Sequence, residues 1–180
     1  LYQINGESHT IKAAPWNNEF HMNGRSIYAD QDGNVWIGTI GNGIIKYDGN
    51  TSKFTVSGNI PEFDILTIYS ICADDKDFLW LGTNNGLFRY DPKNNSYLRF
   101  DENDGLQGQV YYPLSCIKSK NGDLYFGGTN GFTMIDPRNI KSNQYKPRVI
   151  IADFLIDNVP ASADFKSNTS VYQKDRITLN

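Results

Sequence analysis

The sequence predicts an all-β chain made of repeated four-stranded blades and followed by the start of a second β domain. Three observations carry this: a composition suited to strands and turns, a unit that recurs about every 44 residues, and a break in that pattern after Asp136.

Composition sets the class. The 180 residues include 16 Gly, 11 Tyr and 10 Phe, with many Asn and Asp and few Ala, Glu and Leu, a mixture that favours strands and turns over helices. The formal net charge is −3. With no sizeable Lys or Arg cluster, the basic stripe that nucleic acid or anionic lipid requires is missing, and the reading excludes those partners. No apolar run approaches the roughly 18 residues of a membrane span. The chain opens on Leu1 in a strand-like segment instead of a signal peptide, so it reads as a piece of something longer.

The repeat is the main signal, because a period of about 40 to 45 residues marks a propeller or solenoid. Ser26 to Asp48 reads SIYADQDGNVWIGTIGNGIIKYD, Ser70 to Asp91 reads SICADDKDFLWLGTNNGLFRYD, and Ser115 to Asp136 reads SCIKSKNGDLYFGGTNGFTMID. Trp36, Trp80 and Tyr125 each stand ten residues after the serine, at separations of 44 and then 45. A partial fourth copy opens the chain, where Leu1, Tyr2, Ile4 and Asn5 match Leu87, Phe88, Tyr90 and Asp91.

Each full unit parses into four short strands. In the first, these are Ser26 to Ala29, Val35 to Thr39, Ile44 to Tyr47 and a last one near Phe54 to Val56, with turns at Asp32-Gly33 and Gly43. That is the pattern of one propeller blade. The units fall at 1–24 (partial), 25–68, 69–113 and 114–140. Gly38, Gly82 and Gly127 leave room for a neighbouring blade or a large ring. Trp36, Trp80 and Tyr125 are predicted to be equivalent, buried wedges between adjacent sheets, with packing and not ligand stacking as their role.

The two cysteines are offset. Cys72 follows Ser70 by two residues and Cys116 follows Ser115 by one, which puts them on opposite faces of equivalent strands. The expectation is therefore two buried free thiols that do not face each other. Neither an oxidising nor a reducing compartment follows from them.

After Asp136, Pro137, Asn139, Asn143 and Pro147 break regular structure, and Val149 to Ile156 reads as a strand that fits no blade position. A domain boundary is expected between Ile140 and Pro147. The remainder, 147–180, supplies two or three strands.

The repeated D-G-N-x-W-I-G-T with its Gly turn and aromatic-Asp ending resembles the two-component regulator propeller (Reg_prop) repeats of large bacterial hybrid sensor kinases. Gly105-Leu106, the run Gly122-Asp123-Leu124-Tyr125-Phe126-Gly127-Gly128, Asn130-Gly131-Phe132, Asp136-Pro137 and Pro147-x-Val149-x-Ile151-x-Asp153-Phe154 look like the last blade of that family entering its three-tyrosine (Y_Y_Y) immunoglobulin-like sandwich. The resemblance implies a parent with two periplasmic propellers, the sandwich, one membrane helix, and cytoplasmic kinase and regulator modules. It further implies a homodimer, and oligosaccharides from complex glycans as the stimulus. This stretch itself would carry no catalysis.

No cofactor or metal is expected. Asp30-Gln31-Asp32-Gly33-Asn34 has a calcium-loop flavour but a displaced glycine and no distal glutamate, so it reads as a hairpin turn. His9 and His21 lack partners at ligand spacing. A ligand would meet the end of the propeller where loops entering each first strand join the turns between second and third strands. The residues placed there are Trp16, His21, Asn23, Arg25, Asn42, Asn84, Asn85, Gln107, Gln109, Tyr111, Tyr112 and Asn130, a set of rings and forked polar groups suited to sugars. The alternatives are a propeller-fold lyase acting through His21, and a non-catalytic interaction or dimerisation scaffold.

Overall fold

The computed structural model describes residues 2–5, 10–13, 23–57, 60–140, 155–156 and 159–160. The chain divides into two units, Leu1–Ile140 and Lys141–Asn180. In the second, β14 (Leu155–Ile156) and β15 (Val159–Pro160), numbered to follow the strands below, pair antiparallel.

The first unit begins with a hairpin of β1 (Tyr2–Asn5) and β2 (Thr10–Ala13). Two four-stranded antiparallel sheets follow. The first runs β3 (Gly24–Ala29), β4 (Val35–Thr39), β5 (Ile44–Asp48), β6 (Lys53–Ser57), and the second runs β7 (Ile68–Ala73), β8 (Leu79–Thr83), β9 (Leu87–Asp91), β10 (Ser96–Phe100), each in simple sequence order. A third sheet holds β11 (Tyr111–Lys118), β12 (Leu124–Gly128) and β13 (Gly131–Ile135). By the repeat, the outer strand of this blade would start near 141 and lies outside the described residues.

The hairpin turns follow their residues. Gly33 takes φ 80° between β3 and β4, a conformation that suits glycine, and Asp77 takes φ 65° at the equivalent place in the second blade, where aspartate tolerates it.

Alternation along the strands gives each blade two packing faces. Leu79 and Leu81 of β8 face the first blade in a core with Trp36, Ile44, Ile68, Ile71 and Tyr90. Trp80, the next residue of the same strand, faces the third blade in a separate core with Leu87, Tyr111, Leu124 and Phe126. The neighbouring first strand presses on the repeated glycine: a Cβ at Gly38 would lie 2.6 Å from Ile68 Cγ2, and one at Gly82 would lie 3.1 Å from Tyr111 Cβ. At Gly127 the tight neighbour is Ser115, from its own sheet, at 3.2 Å.

Two expectations need correction. Tyr125 is only half-buried, whereas Trp36 and Trp80 are 5% and 0% exposed. Its ring lies 6.1 Å from Phe132 of the adjacent strand, and no fourth blade among the described residues covers that face. The cysteines are brought together: Cys116 packs on the apolar core that contains Cys72. Within one sheet the offset does put the two positions on opposite faces. Successive blades stack face against opposite face, so residues on opposite faces of equivalent strands are the ones brought together.

Candidate functional site

The loop end forms a continuous belt. The turn after β4 reaches the segment entering β7 through Gly41 N to Leu66 O (2.9 Å), and the turn after β8 reaches the segment entering β11 through Gly86 N to Gln109 O (2.6 Å). Within single blades, Ile40 N donates to Asn23 O at 3.0 Å and Thr129 N to Val110 O at 3.1 Å. The strands place these loops together because the first strand of each blade packs beside that of the next, β3 by β7 and β7 by β11.

The candidate residues divide into those that build the belt and those that face out of it. Asn84 Oδ1 accepts from Thr67 N (2.9 Å), Asn85 Oδ1 accepts from Arg99 Nη2 (2.9 Å), and Gln107 Oε1 accepts from Asn130 N (2.7 Å). Asn42, half-buried, donates its backbone N–H to Thr39 Oγ1 (3.2 Å). Asn23, Arg25, Gln109, Tyr112 and Asn130 are exposed, Tyr112 at 53%. Gln107 also has a buried Nε2 without a hydrogen-bond partner. Trp16 and His21 lie outside the described residues.

Tyr111 is a correction. It is 1% exposed and its hydroxyl shares a hydrogen bond with Thr133 Oγ1 at 3.1 Å, while its ring meets Phe126 edge-on at 6.0 Å. The position is the one Ile68 holds in the second blade, where the first strand presses on the preceding glycine, so it belongs to packing and not to the surface.

The opposite end carries residues the sequence reasoning missed. Asp30 Oδ1 accepts from Asp32 N (3.0 Å) and Asn34 N (2.9 Å), and its Oδ2 accepts from Trp36 Nε1 (2.9 Å). Burial raises its pKa, but the hydrogen bonds from Asn34 and Trp36 outweigh that and hold the carboxyl below its usual range. The calcium-like stretch is thus a turn whose leading carboxylate is committed to N–H donors. Asp74 repeats the arrangement with Lys76 N (2.9 Å), Phe78 N (3.1 Å) and Trp80 Nε1 (3.0 Å). The available signal was an aspartate six residues before each tryptophan. Between these turns lies an open groove of about 380 Å³ with Tyr28, Lys46, Asp77, Lys93 and Lys118 on its walls. None of the candidate sugar-contacting residues lines it.

Residues 21–41 and 63–85 match the family model described as the two component regulator propeller, Reg_prop. These blades are two-component regulator propeller repeats. Histidine kinase P4 of Formosa agariphila is 33% identical over 129 residues, 70% of this chain and 9% of that protein. The chain therefore spans about a tenth of the length of the curated relative it matches. Among solved structures, the extracellular domain of BT4673 from B. thetaiotaomicron, described as a one component system in one structure and a hybrid two component system in another, aligns at TM-score 0.60 in the first of these. That match has 18% identity and covers 74% of this chain and 18% of the other. Virginiamycin B lyase from Staphylococcus aureus aligns at TM-score 0.51 with 20% identity, over 67% of this chain and 40% of its own. At such identities the two structures establish the propeller fold alone.

Proposed function

We propose that these blades belong to the extracytoplasmic, ligand-sensing region of a hybrid two-component histidine kinase, on the periplasmic side of the inner membrane, and that the region responds to oligosaccharides from complex glycans. The Reg_prop repeats and the likeness to histidine kinase P4 support the kinase parent. The observation that carries the binding surface is the belt of joined loops, which presents Arg25, Gln109, Tyr112 and Asn130 to solvent at one end of three adjacent blades. An exposed ring beside amide and guanidinium donors suits the apolar faces and hydroxyl pairs of sugars. In the same proposal, the residues from Pro147 begin a Y_Y_Y-like sandwich, and the parent is a homodimer whose geometry changes on binding.

Calorimetric titration of the chain against a panel of plant, algal and host oligosaccharides tests the reading. One glycan class should bind without being cleaved, and Arg25→Ala and Tyr112→Ala should each weaken it about tenfold, roughly 1.4 kcal/mol. Cleavage of the bound glycan would favour the lyase alternative, and no binding across the panel would favour the interaction scaffold.

A further inference from the structure

The meeting of Cys72 and Cys116 has no role in the repeat. In the first interface the equivalent positions are Tyr28, paired across its sheet with Trp36, and Ile71, paired with Leu81, both part of one apolar core. In the second interface the same two positions are Cys72, paired with Trp80, and Cys116, paired with Phe126. Packing alone is met by a tyrosine and an isoleucine in one interface. The other brings two thiols into one apolar core, on the first strands of different blades. Both are free here, Cys72 8% exposed and Cys116 half-buried.

The surroundings distinguish the two sulfurs. The neighbouring Cys72 side chain, with the Ser70 hydroxyl and Ile71 N–H, holds the Cys116 thiol below its ordinary range, while Cys116 and burial push Cys72 above it. Ser70 Oγ is buried with no regular hydrogen bond of its own, which leaves that hydroxyl available to a thiolate. Lys118, two residues along β11, adds a positive charge within reach of Cys72 and stands at the wall of the 380 Å³ groove. The pair therefore combines an activated, partly exposed thiol at Cys116 with a buried resolving thiol at Cys72.

We propose that Cys72 and Cys116 form a reversible disulfide that ties the second blade to the third. A small-molecule disulfide is the oxidant. The Cys116 thiolate attacks one of its sulfurs, giving a mixed disulfide and releasing one thiolate; Cys72 then loses its proton and attacks the Cys116 sulfur, expelling the second. Two protein thiols are oxidised, and one small disulfide is reduced to two thiols. The bond would join the first strands of two blades near the end opposite the loop belt, beside the Asp74 turn, making their relative placement dependent on redox state. Its occurrence in the cell rests on the extracytoplasmic reading above, since such compartments favour disulfides. Its formation in the purified chain does not.

The test is to incubate the purified full chain with oxidised glutathione under native conditions and follow mass, free thiols and a peptide map. Both thiols should disappear together, the mass should fall by two hydrogen atoms, and a Cys72–Cys116 peptide should appear that reduction reverses. The urea midpoint should rise on oxidation. Cys72→Ser should instead keep one glutathione on Cys116, and Cys116→Ala should leave Cys72 unreacted; circular dichroism of each establishes that it is folded. A stable glutathione adduct on the unsubstituted chain, a cross-link between two chains, or thiols that react only after denaturation would each overturn the proposal. Sugar binding measured on the reduced chain separates this outcome from that of the sensing reading.

Discussion

Trp80 donates its indole N–H to Asp74 across 3.0 Å, and six residues separate them in sequence, as they separate Asp30 from Trp36 with a bond of 2.9 Å. The aspartate closes its own hairpin turn through backbone N–H groups and fixes the ring that wedges against the next blade. In the third blade both partners change together. Ser119 stands in place of the aspartate and Tyr125 in place of the tryptophan, and the Ser119 hydroxyl accepts only from Asp123 N at 3.1 Å. A ring without an indole N–H needs no carboxylate opposite it. The coupling of turn and wedge is thus visible inside one sequence.

Trp80→Ala should therefore cost about 3 to 5 kcal/mol, the range for deleting a large buried aromatic. Trp80→Phe should cost less in volume but should still strand one Asp74 oxygen, a loss of about 1 to 3 kcal/mol. Urea denaturation measures both. A loss below about 1 kcal/mol for the alanine variant would show that the ring is not a core wedge.

The repeated glycines should differ in the same direction. Gly82→Ala drives a methyl towards Ser70, Tyr111 and Phe126 from two sheets, and an overpacked core position costs about 1 to 3 kcal/mol. Gly127→Ala meets only Ser115, at 3.2 Å, and should be milder. Equal losses at the two sites, by the same denaturation assay, would contradict the inter-blade role assigned to Gly82.

Period and turn chemistry made the blades readable: the strands at Val35–Thr39 and Ile44–Asp48 fall where the sequence pattern puts them, within a residue. What the pattern hid was the relation between blades. Cys72 and Cys116 were assigned to faces correctly, but which face meets which depends on rotation about the propeller axis, and no local signal encodes that. Tyr111 was missed for a related reason, because its neighbour Tyr112 is exposed and the two differ only in which side of β11 they occupy. The aspartate-tryptophan pairs are legible as a constant six-residue spacing, but an aspartate leading a glycine-containing turn such as Asp30 to Asn34 reads first as a turn or metal residue.

Acid should weaken the fold in a defined window. Hydrogen bonds from Asn94 hold Asp91 below the ordinary 3.8, Arg138 does the same for Asp136, and Asp30 is lowered by its Asn34 and Trp36 donors despite burial. A carboxyl whose folded pKa lies below its unfolded value adds stability that is complete above the unfolded value and disappears as pH falls through the folded one. The urea midpoint should be flat from neutral pH to about 5 and drop below about 4, where carboxylates ordinarily titrate. Asp30→Asn should reduce that acid dependence. A midpoint that instead rose on acidification would contradict the sign.

Adjacent tyrosines give the sharpest separation of packing from binding. Tyr111 is buried with its hydroxyl on Thr133, so Tyr111→Phe should lower stability by about 0.5 to 1.5 kcal/mol, the net worth of one hydrogen bond, and leave sugar affinity unchanged. Tyr112 is 53% exposed on the loop-end strand, so Tyr112→Ala should leave the urea midpoint nearly unchanged and weaken the bound glycan about tenfold. Denaturation and calorimetry on the two variants form a two-by-two comparison in which each substitution moves one reading. If Tyr112→Ala unfolds the chain, or Tyr111→Phe alone abolishes binding, then the faces of β11 have been assigned the wrong way round and the ligand surface must be sought elsewhere on the blades.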